Sequence, residues 1–264
     1  MRNTKVFLRD TNMMKKVVDS AEISISDTII EIGSGDGRLT RLIAEKAAKV
    51  YAIEMDTALL DRSKVLLSDL KNVEFVNGDA LEVPFPDKTN KVVSNLPYAI
   101  SSPITEKIVR FLNGKKGSIA VLMYQREFGD RMITSPGFRD YSMLTVFTRY
   151  TCDAEKVVDV PRGCFKPTPA VDSVVIKLKP KGIKIDDNFL ALCRVLFQHK
   201  KKNLYSAVLD GRENFLVKSK EELRERLSHL DEPLLKEKVF YLELKQLLYI
   251  YKALVNLSLW LESE

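Results

Sequence analysis

The sequence predicts an α/β protein, with a mostly parallel sheet, helices on both faces and an antiparallel closing strand, followed by a small all-helical domain. Two observations support this. Short β-branched runs alternate with segments of helical periodicity up to about residue 124, as in parallel sheets. After residue 185, apolar residues recur at helical spacing, for example Phe189, Leu192, Cys193 and Leu196.

The predicted elements follow one another in a regular order. They are a strand at 28–33, a helix at 39–48, a strand at 49–54, a helix at 58–70, strands at 73–77 and 91–95, a helix at 101–112 and a strand at 118–124. Residues 143–179 hold apolar, β-branched runs without a strong helix, and 171–178 is typical of a late strand that closes the sheet. The stretch 179–184 (KPKGIK) indicates a linker. We therefore predict a first domain at 1–180 and a helical domain at 185–264.

Composition excludes several classes of protein. The chain has 264 residues, of which 45% are hydrophobic and 30% are charged, so it is neither disordered nor collagen-like. The formal net charge of +6 favours an anionic partner without naming one. Because the basic excess is not confined to a tail, a nucleic acid would have to bind a folded surface.

Cysteine and histidine usage argues against a metal centre. Cys152, Cys164 and Cys193 form no C-x-x-C pair, and the histidines are His199 and His229. We therefore expect no metal site and no disulfide framework. No apolar run approaches the ~18 residues of a membrane helix, and the first residues lack an apolar signal region. We expect a cytoplasmic protein without a membrane partner.

A glycine-rich turn follows the first predicted strand. Gly33, Gly35 and Gly37 have the spacing G-x-G-x-G. The dinucleotide fingerprint G-x-G-x-x-G fails because Arg38 occupies its last position, which disfavours a nicotinamide-dependent dehydrogenase. By itself the turn fits either a ligand approached closely by the backbone or a tight strand–helix connection.

Two acidic residues end the next two strands. Glu54 stands where an α/β nucleoside site places a carboxylate on the ribose hydroxyls. Asp79, in the stretch Gly78–Ala80, can accept a hydrogen bond from the amino group of adenine. Each could also be a solvated loop carboxylate. Together with the glycine turn they predict a nucleoside site at the carboxyl edge of the sheet.

The fourth strand ends in Asn95, Leu96, Pro97 and Tyr98. The Asn95 side-chain oxygen and the Leu96 carbonyl could accept the two N–H bonds of an adenine amino group, which favours a nitrogen lone pair that faces an electrophile. Pro97 fixes its own φ and restricts the residue before it, and Tyr98 offers a stacking face for an extruded base. An ordinary Asn-x-Pro turn with a packed tyrosine is the alternative.

The chain resembles class I S-adenosylmethionine methyltransferases that act on amino groups, and the resemblance is carried by Glu31–Gly37, Glu54, Gly78–Ala80 and Asn95–Tyr98. More narrowly, the chain resembles the KsgA-type small-subunit rRNA adenine dimethyltransferases. Further stretches carry that resemblance, namely Phe7-Leu8, 100–105 (ISSPIT), 165–173 (FKPTPAVDS) and 197–204 (FQHKKKNL).

The resemblance implies S-adenosylmethionine as cofactor and dimethylation of two adjacent adenines near the 3′ end of small-subunit rRNA. The implied cofactor contacts come from the residues Leu8, Gly33, Gly35, Gly37, Glu54, Met55, Asp79, Ala80 and Asn95. Met55 would lie beside the adenine ring and Ala80 at its ring nitrogen. Tyr98 and Phe165 would sandwich the flipped target adenine.

The sequence leaves more than one function and partner possible. Lys200, Lys201 and Lys202 are expected to contact RNA, and a small-subunit assembly intermediate is the implied partner of a chain that need not be more than a monomer. The family's Gly-Gln and polar residue before Phe-Leu are replaced by Thr4, Lys5 and Val6. Rivals are a large-subunit rRNA adenine methyltransferase of the erythromycin-resistance type, and a non-enzymatic RNA-binding assembly factor.

Overall fold

The computed structural model describes residues 6–260. The strands are β1 (Phe7–Leu8), β2 (Thr28–Ile32), β3 (Lys49–Glu54), β4 (Val73–Asn77), β5 (Lys91–Asn95), β6 (Ile119–Gln125), β7 (Cys152–Val160), β8 (Phe165–Lys166) and β9 (Ser173–Pro180). The α-helices are α1 (Thr11–Ser20), α2 (Arg38–Ala44), α3 (Thr57–Leu66), α4 (Ser101–Leu112), α5 (Arg126–Ile133), α6 (Met143–Thr151), α7 (Asp187–Gln198), α8 (Leu204–Asp210), α9 (Lys220–Leu227), α10 (Glu232–Lys236) and α11 (Leu244–Asn256).

Seven strands form one mixed sheet in the order β4-β3-β2-β5-β6-β9-β7. Strands β2 to β6 are parallel to one another, whereas β9 is antiparallel to both β6 and β7. This arrangement confirms the predicted α/β class and its antiparallel closing strand. A separate two-stranded ribbon pairs β1 with β8.

The strand order sets where a ligand can bind. Strand β2 lies between β3 and β5, so the chain winds in opposite directions on its two sides. In open α/β sheets ligands bind outside the carboxyl ends of the strands at such a switch point. The core at this point is apolar, since Ile29, Ile30 and Ile32 are at most 1% exposed. The residues that follow β2, β3, β4 and β5 therefore share one edge.

Local contacts decide where the elements begin and end. Asp10 accepts a hydrogen bond from the Met13 N–H and caps α1 (2.8 Å), whose Met14 is buried in the core. Helix α2 stops at Ala44, four residues before the predicted end. The reason is that the N–H groups of Ala48 and Lys49 donate to the carbonyl of Asp27, which directs the chain into β3.

The chain forms two compact units. The first comprises residues up to 130 together with 151–183, and the second comprises 131–150 together with residues from 184 onward. Residues 131–150 were predicted to lie in the first domain, but they pack with the second unit. The absence of a strong helix in 143–179 was also a wrong prediction, because α6 is a regular helix.

The β-branched residues of α6 do not prevent helix formation, because they are buried and the hydroxyl groups of the two buried threonines find carbonyl partners. The Thr148 hydroxyl donates to the Leu144 carbonyl (2.9 Å) and the Thr145 hydroxyl donates to the Arg131 carbonyl (2.6 Å). Both side chains are buried together with Val146. Burial therefore overrides the weak helix propensity of this run.

The second unit has its own apolar core. Residues of α7 at helical spacing, including Phe189, Leu192 and Leu196, are fully buried there. The ring of Phe189 packs edge-on against Tyr150 and Tyr251. The periodicity that predicted a helical domain beyond residue 185 thus corresponds to a packed core.

Candidate active site

The turn between β2 and α2 depends on its glycines. The angle φ is +70° at Gly33, +56° at Gly35 and +78° at Gly37, a region that residues with a Cβ rarely adopt. The Gly33 N–H donates to the Ile53 carbonyl (2.8 Å), which ties the turn to the end of β3. The glycine spacing is therefore a conformational requirement at the carboxyl edge of the sheet.

The segment around β1 lies against this turn. A Cβ added to Gly35 would be 3.1 Å from the Phe7 ring, and Arg9 forms an ion pair with Asp36 of the turn (2.8 Å). The Leu8 side chain is buried in the core, so a contact between Leu8 and a ligand would have to use its backbone. Thr4 and Lys5 lie outside the described residues.

Glu54 joins the ends of β2 and β3 through its carboxylate. It is 6% exposed. Its Oε2 accepts from the Gly35 N–H (3.0 Å) and its Oε1 from the Asp56 N–H (2.9 Å). The Asn77 amide adds a bond to the Glu54 carbonyl (2.9 Å), a contact that sequence reasoning missed. Carboxylate oxygens accept more than one hydrogen bond each, so this fixed group can also receive two ribose hydroxyls.

Glu31 is a second carboxyl group at this edge, for which the sequence suggested no role. It lies in β2 and is 2% exposed. Its pKa is raised to about 8, mainly by burial; the Thr40 hydroxyl opposes the shift, and the carboxylates of Asp36 and Glu54 add to it. Its Oε2 has no hydrogen-bond partner in residues 6–260. A buried oxygen without a hydrogen-bond partner is uncommon in a folded protein, and this one lies in the strand that leads into the glycine turn.

The turn after β4 presents a donor and an acceptor side by side. Asp79 Oδ1 accepts from the Leu81 N–H (2.8 Å), which fixes the carboxylate. Across residues 6–260, neither the second oxygen of Asp79 nor the Ala80 N–H has a hydrogen-bond partner. Adenine offers the complementary pair, an amino donor beside a ring-nitrogen acceptor. The Met55 side chain, predicted to lie beside the adenine ring, is 69% exposed.

The loop after β5 packs directly on the glycine turn. A Cβ added to Gly33 would lie 3.3 Å from two ring atoms of Pro97 and 3.9 Å from the Asn95 carbonyl. Leu96 anchors the loop with a buried side chain. The half-buried Asn95 side chain makes no hydrogen bond within the described part of the chain. Its amide is therefore available to a ligand next to the turn.

The two predicted stacking residues differ in exposure. Tyr98 is half-buried, and its hydroxyl is 2.7 Å from the hydroxyl of Ser173, the last residue of the stretch 165–173. Burial raises the pKa of Tyr98. Phe165 pairs with Leu8 across the β1–β8 ribbon and is only 2% exposed. The expected sandwich of two open rings is therefore not formed here, and Phe165 contributes to the core.

The three lysines of the run 200–202 lie in the second unit and have different environments. The Lys200 ammonium donates to the carbonyls of Arg139 (3.0 Å) and Tyr141 (2.9 Å). Lys202 forms an ion pair with Asp210 (2.5 Å). Lys201 is exposed and has no ion pair within residues 6–260. Of the three, Lys201 is the exposed lysine whose ammonium has no protein partner in residues 6–260.

Neither a metal cluster nor a membrane-spanning helix is found in the described part of the chain. Residues 6–260 contain no cluster of three or more His, Cys, Asp or Glu side chains able to hold a metal ion. The helices in this range are also too short or too polar for one of them to cross a membrane.

The first unit thus brings Gly33, Glu54, Asp79 and Asn95 to one edge of the sheet, as the sequence predicted. The unpartnered acceptor on Asp79 and the Ala80 N–H suit the edge of an adenine ring, and Glu54 suits its ribose. Such a site, next to an Asn-Leu-Pro-Tyr loop, defines an S-adenosylmethionine-dependent methyltransferase that acts on amino groups.

Comparison with known proteins specifies the family. Residues 2–229 match the family described as ribosomal RNA adenine dimethylase, so the chain belongs to that family. A protein of Methanosarcina mazei, named as a probable ribosomal RNA small subunit methyltransferase A, is 44% identical over 208 residues, which cover 77% of this chain and 75% of that protein.

Solved structures agree with this assignment. A dimethyladenosine transferase from Plasmodium falciparum is 29% identical with a TM-score of 0.84, covering 96% of this chain and 99% of that one. The 23S rRNA methyltransferase ErmE is 26% identical with a TM-score of 0.69, covering 94% of this chain and 99% of that one. The chain is thus an rRNA adenine methyltransferase that uses S-adenosylmethionine.

Proposed function

We propose that this enzyme places two methyl groups on the N6 atom of each of two adjacent adenines near the 3′ end of small-subunit rRNA. The observation that carries the proposal is the contact of the Asn95–Tyr98 loop with Gly33, because it places a base-holding loop against a cofactor-binding turn. The relative named as a small subunit methyltransferase, and the higher TM-score of the dimethyladenosine transferase, support the small subunit over the large one.

The carboxyl edge of the sheet supplies the groups that would hold the cofactor. Glu54 would accept from both ribose hydroxyls, and Asp79 and Ala80 would bind the adenine edge with Met55 beside the ring. Backbone groups of Leu8, Gly33, Gly35 and Gly37 would line the methionine end. When bound, S-adenosylmethionine supplies a methyl group on a positively charged sulfur, which is a strong electrophile.

The loop after β5 would orient the target amino group. The Asn95 oxygen and the Leu96 carbonyl would accept its two N–H bonds, so that the nitrogen lone pair faces the methyl group. Pro97 is held against Gly33, which fixes this geometry. The amine proton can leave to water after transfer, so catalysis consists mainly of positioning and desolvation.

Tyr98 is the residue we assign to stacking on the flipped target base. Its hydroxyl is anchored to Ser173, which holds the ring in one orientation. Phe165 is buried and would reach the base only after a local rearrangement of the β1–β8 ribbon.

The second unit is proposed to dock on rRNA, with Lys201 as the phosphate contact and Lys200 and Lys202 in supporting roles. The expected partner is an assembly intermediate of the small ribosomal subunit, bound by a cytoplasmic monomer. The formal charge of +6 supports a polyanionic partner.

The test is methylation of unmethylated small subunits with radiolabelled S-adenosylmethionine, followed by digestion and identification of the labelled nucleosides. We expect N6,N6-dimethyladenosine in the small-subunit RNA, formed about a hundredfold or more slowly with Asn95→Ala. Label in naked large-subunit RNA instead would favour the resistance-type activity. Tight subunit binding without any label would point to a non-enzymatic assembly factor.

A further inference from the structure

A lysine of α4 binds the turn that follows β4. The Lys107 ammonium donates to the carbonyls of Ala80, Leu81 and Val83, each at 2.8 Å. It also lies 4.5 Å from the centroid of the Phe85 ring. Because an ammonium group has three N–H bonds, these carbonyls use its full donor capacity.

The turn held by Lys107 is a single helical turn. The N–H groups of Glu82 and Val83 both donate to the Asp79 carbonyl (2.9 and 2.8 Å), and Asp79 Oδ1 caps the turn at its start. One isolated turn is unstable in water because few hydrogen bonds offset its loss of backbone freedom. A cation on its terminal carbonyls is the favourable partner.

Helix α4 holds the backbone of Lys107 in a fixed position. It begins at Ser101, directly after the Asn95–Tyr98 loop and a short 3-10 turn. Ser101, Ile104 and Ile108 are buried, so the helix is fixed against the sheet. Lys107 therefore connects the helix that follows the base-holding loop to the turn that carries Asp79 and Ala80.

We propose that Lys107 is a positioning residue that fixes the Asp79 carboxylate and the Ala80 N–H for recognition of the cofactor's adenine. The inference rests on the proposed assignment of Asp79 and Ala80 to that adenine. Lys107 acts through three backbone carbonyls rather than by touching the cofactor. It should therefore affect cofactor affinity, and specifically the preference for adenine, more than the rate of transfer.

The chain offers a matched control in Lys115. Its ammonium donates to the carbonyls of Asp87 (2.7 Å) and Thr89 (3.2 Å) and lies 3.6 Å from the Phe111 ring centroid. Burial lowers the pKa of both lysines. Lys115 binds the loop before β5, at the opposite edge of the sheet from the site, so Lys115→Met removes similar contacts away from the adenine turn.

The experiment measures calorimetric binding of S-adenosylhomocysteine and of S-inosylhomocysteine, which carries a carbonyl in place of the amino group. Lys107→Met should weaken binding of the adenosyl ligand about tenfold, because charged hydrogen bonds that order the turn are lost. Binding of the inosyl ligand should change by less than about twofold, since it does not use the amino contact. With saturating S-adenosylmethionine and RNA, kcat should remain within about twofold of wild type, and Lys115→Met should bind both ligands like wild type.

Several outcomes separate this inference from the assignment beneath it. Suppose that Asp79→Ala weakens binding of the adenosyl ligand. The role of Lys107 is then overturned if Lys107→Met binds the adenosyl ligand like wild type, or if it loses the same affinity for both ligands. If Asp79→Ala also binds like wild type, the adenine assignment itself falls. Should Lys107→Met not fold, Lys107→Arg takes its place, because a planar guanidinium cannot match three carbonyls grouped around one nitrogen. The ratio of its affinities for the adenosyl and inosyl ligands should fall about threefold. An unchanged ratio would refute the proposal.

Discussion

Replacing Glu31 by glutamine removes an ionisable group from the interior of the sheet while almost keeping its shape. The carboxyl of Glu31 is 2% exposed in β2. Burial is the main cause that raises its pKa from 4.5 to about 8. At pH 6 this group therefore carries its proton in the folded protein and has lost it in the unfolded chain.

The size of the effect follows from this difference in bound protons. A raised pKa of an acid means that its contribution to stability is fully present below about pH 4.5 and is lost as the pH rises towards about 8. Between these limits the unfolded state binds one proton fewer, so the free energy of unfolding falls by about 1.4 kcal/mol per pH unit. Glu31→Gln lacks this slope.

The assay is urea unfolding of the cofactor-free protein at pH 5.5 and pH 6.5, followed by circular dichroism. Subtracting the Glu31→Gln curve cancels the titration of groups that do not interact with Glu31. Between pH 5.5 and pH 6.5 the free energy of unfolding of wild type should fall by about 1.4 kcal/mol relative to that of the variant. Glu45→Gln, at an exposed glutamate after α2, is the control and should follow wild type. A constant difference between wild type and Glu31→Gln would show that the buried carboxyl is already ionised, and would refute the reasoning.

The remaining predictions concern the proposed site and the RNA interface. Asn95→Ala should lower single-turnover methylation about a hundredfold or more with RNA affinity nearly unchanged, and equal losses would contradict its role. Glu54→Ala should weaken cofactor binding about tenfold by calorimetry, and wild-type affinity would remove it from the ribose site. Tyr98→Ala should raise KM for RNA because it removes the stacking ring, whereas Tyr98→Phe keeps the ring and should keep KM low. Similar KM values for the two variants would exclude stacking. Lys201→Glu should reduce the slope of the logarithm of the subunit-binding constant against the logarithm of salt concentration by about one. Lys202→Glu should change this slope only weakly, because Lys202 forms an ion pair with Asp210.

Much of the site could be predicted because its residues follow the ends of successive strands. Parallel strands bring their carboxyl ends to one edge, so Glu54, Asp79 and Asn95 had to come close to one another once the strands were recognised. The glycines could be predicted for a related reason, since a strand–helix turn with positive φ requires them. Both features depend only on neighbouring residues along the chain and on the direction of the strands.

Other features depended on contacts between distant segments. Phe165 has the sequence context of a base-stacking residue, but its pairing with Leu8 buries it. Lys200 lies in a basic run, yet carbonyls about sixty residues earlier bind its ammonium. Lys107 carries no motif, and only the folding of α4 beside the turn after β4 gives it three carbonyl partners.

The sequence by itself determined the α/β class, the order of the parallel strands along the chain and the kind of chemistry, and it predicted the edge of the sheet at which a nucleoside would bind. These properties are encoded locally, in hydrophobic periodicity and in glycine, acid and asparagine residues placed at strand ends. The tertiary structure alone decided that residues 131–150 join the second unit, that Phe165 is closed to solvent and that burial raises the pKa of Glu31. Burial and long-range hydrogen bonding set these properties, and both arise only when segments far apart in the chain pack together.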